Sequence, residues 1–307
     1  MGRIVSVIAA LIIIALIAVA FVSVGGDKLW HRLYAAWELR DVQVAPGFSE
    51  ISQAYSFGLS GLKAYSLTKD STSTGDYASA HGTKVAVEAQ KEGADGQVYL
   101  LGKNGRALTD YPGRKAVLAV SPDGKFVTYS VATSTTAVGK LSSWRIHLYD
   151  LKAEKDTDLG PGFGGQFFER DGAPWLLYTT ADGISVIDTA TLKGFTTDSF
   201  DFNDDVAFMA KTSPDGTYIA LRDSARLAFN LFKVTSISTS LPLGLEPLST
   251  DVSGYSDILL TDSAAFGISD AALTKDDTET IERIPLSGGA MRTLYTYPAT
   301  AGYRFMK

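Results

Sequence analysis

Three histidines, His31, His81 and His147, are the only imidazoles in this 307-residue chain, and it has no cysteine. Nucleophilic catalysis needs a serine, threonine or cysteine held beside a base, yet there is no Gly-x-Ser-x-Gly elbow. A P-loop, a dinucleotide fingerprint and a His-Glu-x-x-His zinc motif are also missing. His31 stands just beyond an apolar run, His81 falls in a turn, and His147 sits mid-strand near Arg145 and Tyr149. Isolated in this way, without triad or metal spacing, each reads as a structural or exposed histidine rather than a base or ligand. The lack of cysteine removes disulfides, thiolate metal sites and an acylated N-terminus.

Two acidic runs remain, Asp201-Phe202-Asn203-Asp204-Asp205 and Asp276-Asp277-Thr278-Glu279. Hard cations take several oxygen ligands, so either loop could contribute to a Ca²⁺ site, but neither has the EF-hand pattern. Solvated loop charge is the plainer reading, and the expectation is a chain with no catalytic, cofactor-binding or metal-ligating residues, Ca²⁺ being the one ion these loops could take. With 34 acidic against 28 basic residues the net charge is −6. A net-acidic surface without a basic aromatic stripe repels polyphosphate, which excludes nucleic acid as a partner.

The elements that would position any site are repeats. Ser121-Pro122-Asp123-Gly124 recurs as Ser213-Pro214-Asp215-Gly216, each followed by alternating apolar and polar residues. Proline presets φ at the second turn position, aspartate can bond back to the backbone, and glycine tolerates positive φ, so both read as tight structural turns entering a strand. The spacing is two units of about 46 residues, in the range of a propeller blade. Weaker copies fall at Ala78–Val87, Glu169–Tyr178 and Ile258–Ala264. Trp144–Asp150 and Gly183–Asp188 predict strands ending in aspartate, while Gln97–Gly102 and Ile281–Leu286 predict strands followed by a glycine turn. Four short antiparallel strands per unit make a blade.

The Ser-Pro-Asp-Gly turns, with the step Ser287-Gly288-Gly289-Ala290-Met291-Arg292-Thr293-Leu294, resemble the WD-like repeats of TolB-type bacterial propellers and of the propeller halves of prolyl oligopeptidases. The resemblance covers about residues 75–298 and is firm in two units and loose in three. It implies an all-β propeller without the hydrolase half, and it points to protein assembly in the cell envelope. Five turn anchors give five blades, and residues 41–74, with strands expected at Phe48–Phe57 and Leu62–Leu67, give a sixth if the strand-like Tyr303–Met306 closes the ring. Six blades is the expectation, within a range of five to seven.

An uncharged apolar run extends from Ile4 to Val24. At about 1.5 Å per residue it is long enough for the ~30 Å hydrocarbon core, so residues 1–26 are expected to be an uncleaved transmembrane anchor; Ala18-Val19-Ala20 leaves a cleaved signal as the alternative. Residues 27–40 then predict a short amphipathic juxtamembrane helix, capped by Asp27, with Leu29, Trp30, Leu33, Tyr34, Ala36 and Trp37 on its apolar side. Trp30, Tyr34 and Trp37 are of the types that settle at a membrane interface. Residues 41–307 would be the propeller, periplasmic or extracellular, with the N-terminus cytoplasmic. The expected function is a membrane-tethered interaction or assembly module with envelope protein or peptide partners. The competing reading is an extracytoplasmic enzyme or ligand sensor acting at the central channel.

Overall fold

The computed structural model describes residues 26–40, 42–46, 53–58, 61–66, 73–88, 95–102, 105–197, 200, 202, 204–206, 209–223, 228–250, 252–269, 278–298 and 303–306. The apolar run Ile4–Val24, and with it the expected anchor, lies outside these residues. Among the described residues no helix is long and apolar enough to cross a membrane.

The described strands fall into six four-stranded antiparallel sheets. Sheets II to VI are each contiguous chain, beginning at Ser73, Lys115, Phe163, Lys211 and Tyr255 and ending at Ala107, Pro161, Thr197, Pro247 and Pro298. Sheet I is composite: Gln43–Pro46, Gln53–Gly58 and Gly61–Ser66 are joined by Tyr303–Met306, with Val44 opposite Phe305. The first strands of sheets II to VI adjoin one another in order, and the last of them adjoins Tyr303–Met306. This is an all-β propeller, with five blades of contiguous chain and one sheet that joins the two ends of the domain.

Period-two alternation explains why sheets stack in this way. In the strand Trp144–Asp150, Ile146 and Leu148 pack with Leu176 and Tyr178 of sheet IV, whereas Tyr149 packs with Val85 and Val98 of sheet II. Each blade thus presents apolar side chains to both neighbours. Full burial of one such aliphatic side chain stabilises by roughly 1.5–3 kcal/mol. The strand-ending aspartates have a local reason: Asp150 Oδ1 accepts the Lys152 and Ala153 N–H groups, both at 2.8 Å, and Asp188 Oδ1 accepts Ala190 N–H at 2.8 Å. They hold the next hairpin turn.

The first hairpins of sheets II to V alternate between two turn classes. Sheets III and V use Ser-Pro-Asp-Gly, with Ser121 O accepting Gly124 N–H at 2.8 Å and Ser213 O accepting Gly216 N–H at 3.0 Å. The serine hydroxyl accepts the N–H of the residue that starts the next strand, Phe126 at 2.9 Å and Tyr218 at 3.0 Å, and donates to the turn aspartate at 2.7 Å in both copies. Sheets II and IV turn in two residues, His81-Gly82 and Asp171-Gly172, all four with positive φ. That is the hairpin turn of the type I′ kind, and it is why those two units match the repeat poorly in sequence.

Closure of the ring has its own polar joint. Lys211, on the first strand of sheet V, pairs with Asp257 on the first strand of sheet VI, and its Nζ also donates to Ile258 O at 2.9 Å. The second carboxylate oxygen of Asp257 accepts Phe305 N–H at 2.8 Å. One half-buried carboxylate therefore fastens three neighbouring inner strands.

Candidate functional site

The helix, α1, spans Gly26–Glu38, two residues earlier than the sequence predicts, so Asp27 lies within its first turn. Its buried face lies beside the apolar side read from the sequence. Ala35 and Leu39 pack with Phe266, Ile281 and Phe305, and Tyr34 lies half-buried against the same group with the Arg292 guanidinium 4.1 Å from its ring centre. Glu38 Oε2 accepts from Arg283 Nε at 3.3 Å. Trp30 and Trp37 remain 61% and 60% exposed, and Leu33 stands exposed between them. The helix therefore has two apolar faces, one docked on sheet VI and one open, because Ala35 and Leu39 satisfy the propeller while the indoles point elsewhere. Of the three residues expected at an interface, Trp30 and Trp37 share the open face and Tyr34 belongs to the docked one.

The C-terminal end of α1 rims a cavity of about 640 Å³. Its wall is made where the inner strands meet their turns: Ala78 from sheet II, Val120 and Pro122 from III, Phe167 from IV, Pro214 from V, and Leu259 from VI. The inner strands of sheets II to VI end here, and their apolar residues make much of the wall. The polar groups at the rim are hydroxyls such as Ser79, Thr212 and Ser263, with Glu38 and Arg40 supplied by the helix. Glu38 is already engaged by Arg283, and Arg40 lies 5.6 Å from the Trp37 ring. Such a surface can bury an apolar chain and offer it a few hydrogen bonds; among the described residues it does not converge charges on one atom.

All eight turn residues singled out in the sequence, Ser121, Pro122, Asp123, Gly124, Ser213, Pro214, Asp215 and Gly216, are brought to this end of the propeller, where they join blades. Thr83 Oγ1 donates to Gly124 O at 2.9 Å, and Glu169 N–H donates to Pro214 O at 2.7 Å. Asp215 N–H donates to Asp262 Oδ1 of the next blade at 3.2 Å. Burial works to raise the Asp215 carboxyl, but hydrogen bonds from Thr217 and Ser213 outweigh it and hold it below the usual range. Burial and the charge of Asp215 push Asp262 up. Asp123 is likewise held low against burial by Lys125 and Ser121.

The acidic run at 201–205 is partly described. Asp204 accepts Ser142 N–H and Ser142 Oγ–H, both at 2.6 Å, so its oxygens fasten that loop to sheet III. Asp201, Asn203, Asp276 and Asp277 lie outside the described residues. His31 is half-buried and His81 exposed in its turn. His147 is not alone: Tyr111, Tyr129 and Asp156 surround it. Sequence reasoning missed those three because Tyr111 lies on the connection between sheets II and III, Tyr129 and Asp156 come from different strands, and no local motif joins them. The one available signal was alternation, which puts His147 and Tyr149 on the same face of their strand.

No protein-family model and no curated protein matches the chain. Among solved structures it is similar to the oligogalacturonate lyase of Vibrio parahaemolyticus, at 9% identity and a TM-score of 0.55, covering 82% of this chain and 78% of that one. A chain of a nidogen–laminin complex matches at 8% identity and a TM-score of 0.53, covering 87% and 98%. TolB from Acinetobacter baumannii matches at 13% identity and a TM-score of 0.47, covering 86% of this chain. The chain spans 66% of that TolB, just under two thirds of its length. The fold is a β-propeller. At these identities the likeness is one of fold.

Proposed function

We propose that this chain is a membrane-tethered, extracytoplasmic propeller that docks a protein or peptide partner of the cell envelope at the channel mouth rimmed by α1. The observation that carries this reading is the mouth itself, walled by Ala78, Val120, Phe167 and Leu259 and edged by hydroxyls. Apolar lining with scattered hydrogen-bonding groups suits an extended or helical segment of a partner, and propellers offer such a mouth between their loops. The tether is the uncharged run Ile4–Val24, from which α1 follows directly. The open face of Trp30, Leu33 and Trp37 supports contact with the headgroup layer, where indole rings are favoured. Because the same helix rims the cavity, the mouth then faces the membrane, and the partner is a protein held at or in it.

The test is purification of the full-length protein from its native membrane in mild detergent, compared with a Phe167→Arg/Leu259→Arg variant. Envelope proteins that co-purify reproducibly with the parent and are lost from the folded variant support the reading. An unaffected set of co-purifying proteins, or a lone protein carrying an ion at the channel, replaces it with the sensor or enzyme reading. For the membrane face, Trp30→Ser/Trp37→Ser in protein lacking residues 1–25 is expected to lower liposome partitioning; equal partitioning removes that contact.

A further inference from the structure

The docked and open sides of α1 face in nearly opposite directions. Successive helix positions turn by about 100°, which sets Trp30, Leu33 and Trp37 on one side and Ala35 and Leu39 on the other. Ala35 and Leu39 are buried against sheet VI, whereas Trp30, Leu33 and Trp37 are all exposed. Large apolar side chains grouped in this way mark a contact surface.

The charges beside that surface are ordered. The Arg40 guanidinium is 5.6 Å from the Trp37 ring centre, the Trp37 and Tyr34 rings are 6.4 Å apart, and the Arg292 guanidinium of sheet VI is 4.1 Å from the Tyr34 ring centre. A row of guanidinium, indole, phenol and guanidinium thus crosses the helix. Lys28 and Arg32 are exposed on the same helix. With Arg283 these cations outnumber the nearby acids Asp27, Glu38, Glu279 and Glu282. Of the acids, Glu38 is bound to Arg283, Glu279 is buried, and Glu282 accepts from Tyr255 and Thr293. The whole chain carries a net charge of −6, so the sign is reversed locally at α1.

What covers this side follows from the chain. The uncharged run Ile4–Val24, read above as the tether, ends two residues before α1, and two residues span at most about 7 Å. A tethered α1 is therefore held at the bilayer surface. Indoles settle at the acyl boundary, and guanidiniums beside them reach the phosphate level, where the arginine fork pairs with phosphate oxygens. In a zwitterionic lipid the headgroup amine balances that phosphate; in an anionic lipid the charge is left for the protein. An acidic protein segment would answer the same cations, but the tether brings lipid within reach before any partner arrives.

We propose that the open side of α1 lies on anionic lipid, with Trp30, Leu33 and Trp37 at the acyl boundary and Arg40 and Arg292 on headgroup phosphates. The inference rests on the tethered reading and adds to it the class of lipid.

The full-length protein, reconstituted into vesicles of brominated phosphatidylcholine with or without phosphatidylglycerol, provides the test. Flotation reports the tether, and bromine quenches indoles that touch acyl chains. Of the four tryptophans, Trp144 is buried and Trp175 half-buried in the propeller, so the signal belongs to Trp30 and Trp37 and should vanish in Trp30→Phe/Trp37→Phe. Quenching is expected to be stronger with phosphatidylglycerol and to lose that excess in about 1 M salt, where the Debye length falls to about 3 Å. Each cation near an anionic surface favours contact about fivefold, so Arg40→Gln/Arg292→Gln should lose most of the excess at low salt. Circular dichroism checks the fold of each variant, and the salt series on the parent needs no variant. Equal quenching in both lipids overturns the proposal, as does quenching that survives in Trp30→Phe/Trp37→Phe. A protein that floats unquenched overturns it too, leaving the tether intact and giving the open side to a protein partner. A protein that does not float overturns the tether and the lipid contact together.

Discussion

The joint between sheets II and III and the joint between sheets IV and V begin from the same hairpins. In each, a two-residue positive-φ turn on the first partner meets a Ser-Pro-Asp-Gly turn on the second. Their interiors differ. The IV–V joint is filled by Phe168, Leu177, Ile184, Ile219 and Leu221, none more than 3% exposed. The II–III joint keeps an apolar base of Val85, Val98 and Val127 but gives its outer part to Tyr111, His147 and Asp156. Period-two alternation sets which residues enter a joint, and it is indifferent to their chemistry. An apolar base is enough to hold two blades together, and the rest of the joint is free to carry polar groups.

If volume holds the IV–V joint, Phe168→Ala is the largest perturbation of the set. A fully buried aromatic truncated to alanine costs about 3–5 kcal/mol, and denaturant unfolding should show that loss at every pH. A cost below about 1 kcal/mol means that the cavity collapses and that packing does not define the joint.

The equivalent glycines separate the two joints next. Gly124 and Gly216 have φ of 72° and 69°, so alanine strains both alike. A Cβ on Gly216 would lie 2.3 Å from the Phe168 ring, whereas on Gly124 the nearest atom is Thr83 Oγ1 at 3.1 Å. Gly124→Ala is expected to cost about 1–2 kcal/mol and Gly216→Ala about 2–4 kcal/mol, the excess being the overpacking against Phe168. Equal losses by thermal or urea unfolding would show that the ring moves aside and that the joints are alike in tightness.

How far this was legible in sequence follows from the same residues. Ser121–Gly124 and Ser213–Gly216 were plain because Pro, Asp and Gly each answer a local backbone demand. Trp144–Asp150 and Gly183–Asp188 are strands with the bounds read from alternation. The His81-Gly82 and Asp171-Gly172 units looked degraded only because a shorter turn of another class does the same work. The face on which α1 docks was not legible: the sequence grouped Tyr34 with the indoles of Trp30 and Trp37 as interface residues, but the surface of sheet VI accepts Ala35, Leu39 and Tyr34, and nothing in residues 27–40 announces that surface. The four groups around His147 were illegible for a stronger reason, since Tyr111 and Asp156 are 45 positions apart and meet only when two blades stack.

Within the polar joint, Tyr129→Phe removes one buried hydroxyl and keeps the ring. Its neighbours Tyr111 and Asp156 retain each other, so the expected loss is about 1 kcal/mol, near the net worth of one buried hydrogen bond. A loss comparable with that of Phe168→Ala would mean that the hydroxyl network, not the valine base, holds sheets II and III together.

The smallest effect at neutral pH is also the most telling, because the apolar joint cannot imitate it. Burial works to raise the Asp156 carboxyl, but hydrogen bonds from His147 and Tyr111 and attraction by His147 outweigh it, and the group lies below the usual aspartate range. A depressed folded-state value contributes stability above the unfolded value, near pH 4, and that contribution disappears as pH falls through the lower folded value. Asp156→Asn keeps the shape and has no such titration. The difference in stability between parent and Asp156→Asn should therefore hold constant from pH 7 to about pH 5 and shrink on further acidification, while the difference between parent and Phe168→Ala stays flat over the same range. If the Asp156→Asn difference is flat as well, the carboxylate gains nothing from its partners, and the two joints are held by the same apolar contacts despite their different side chains.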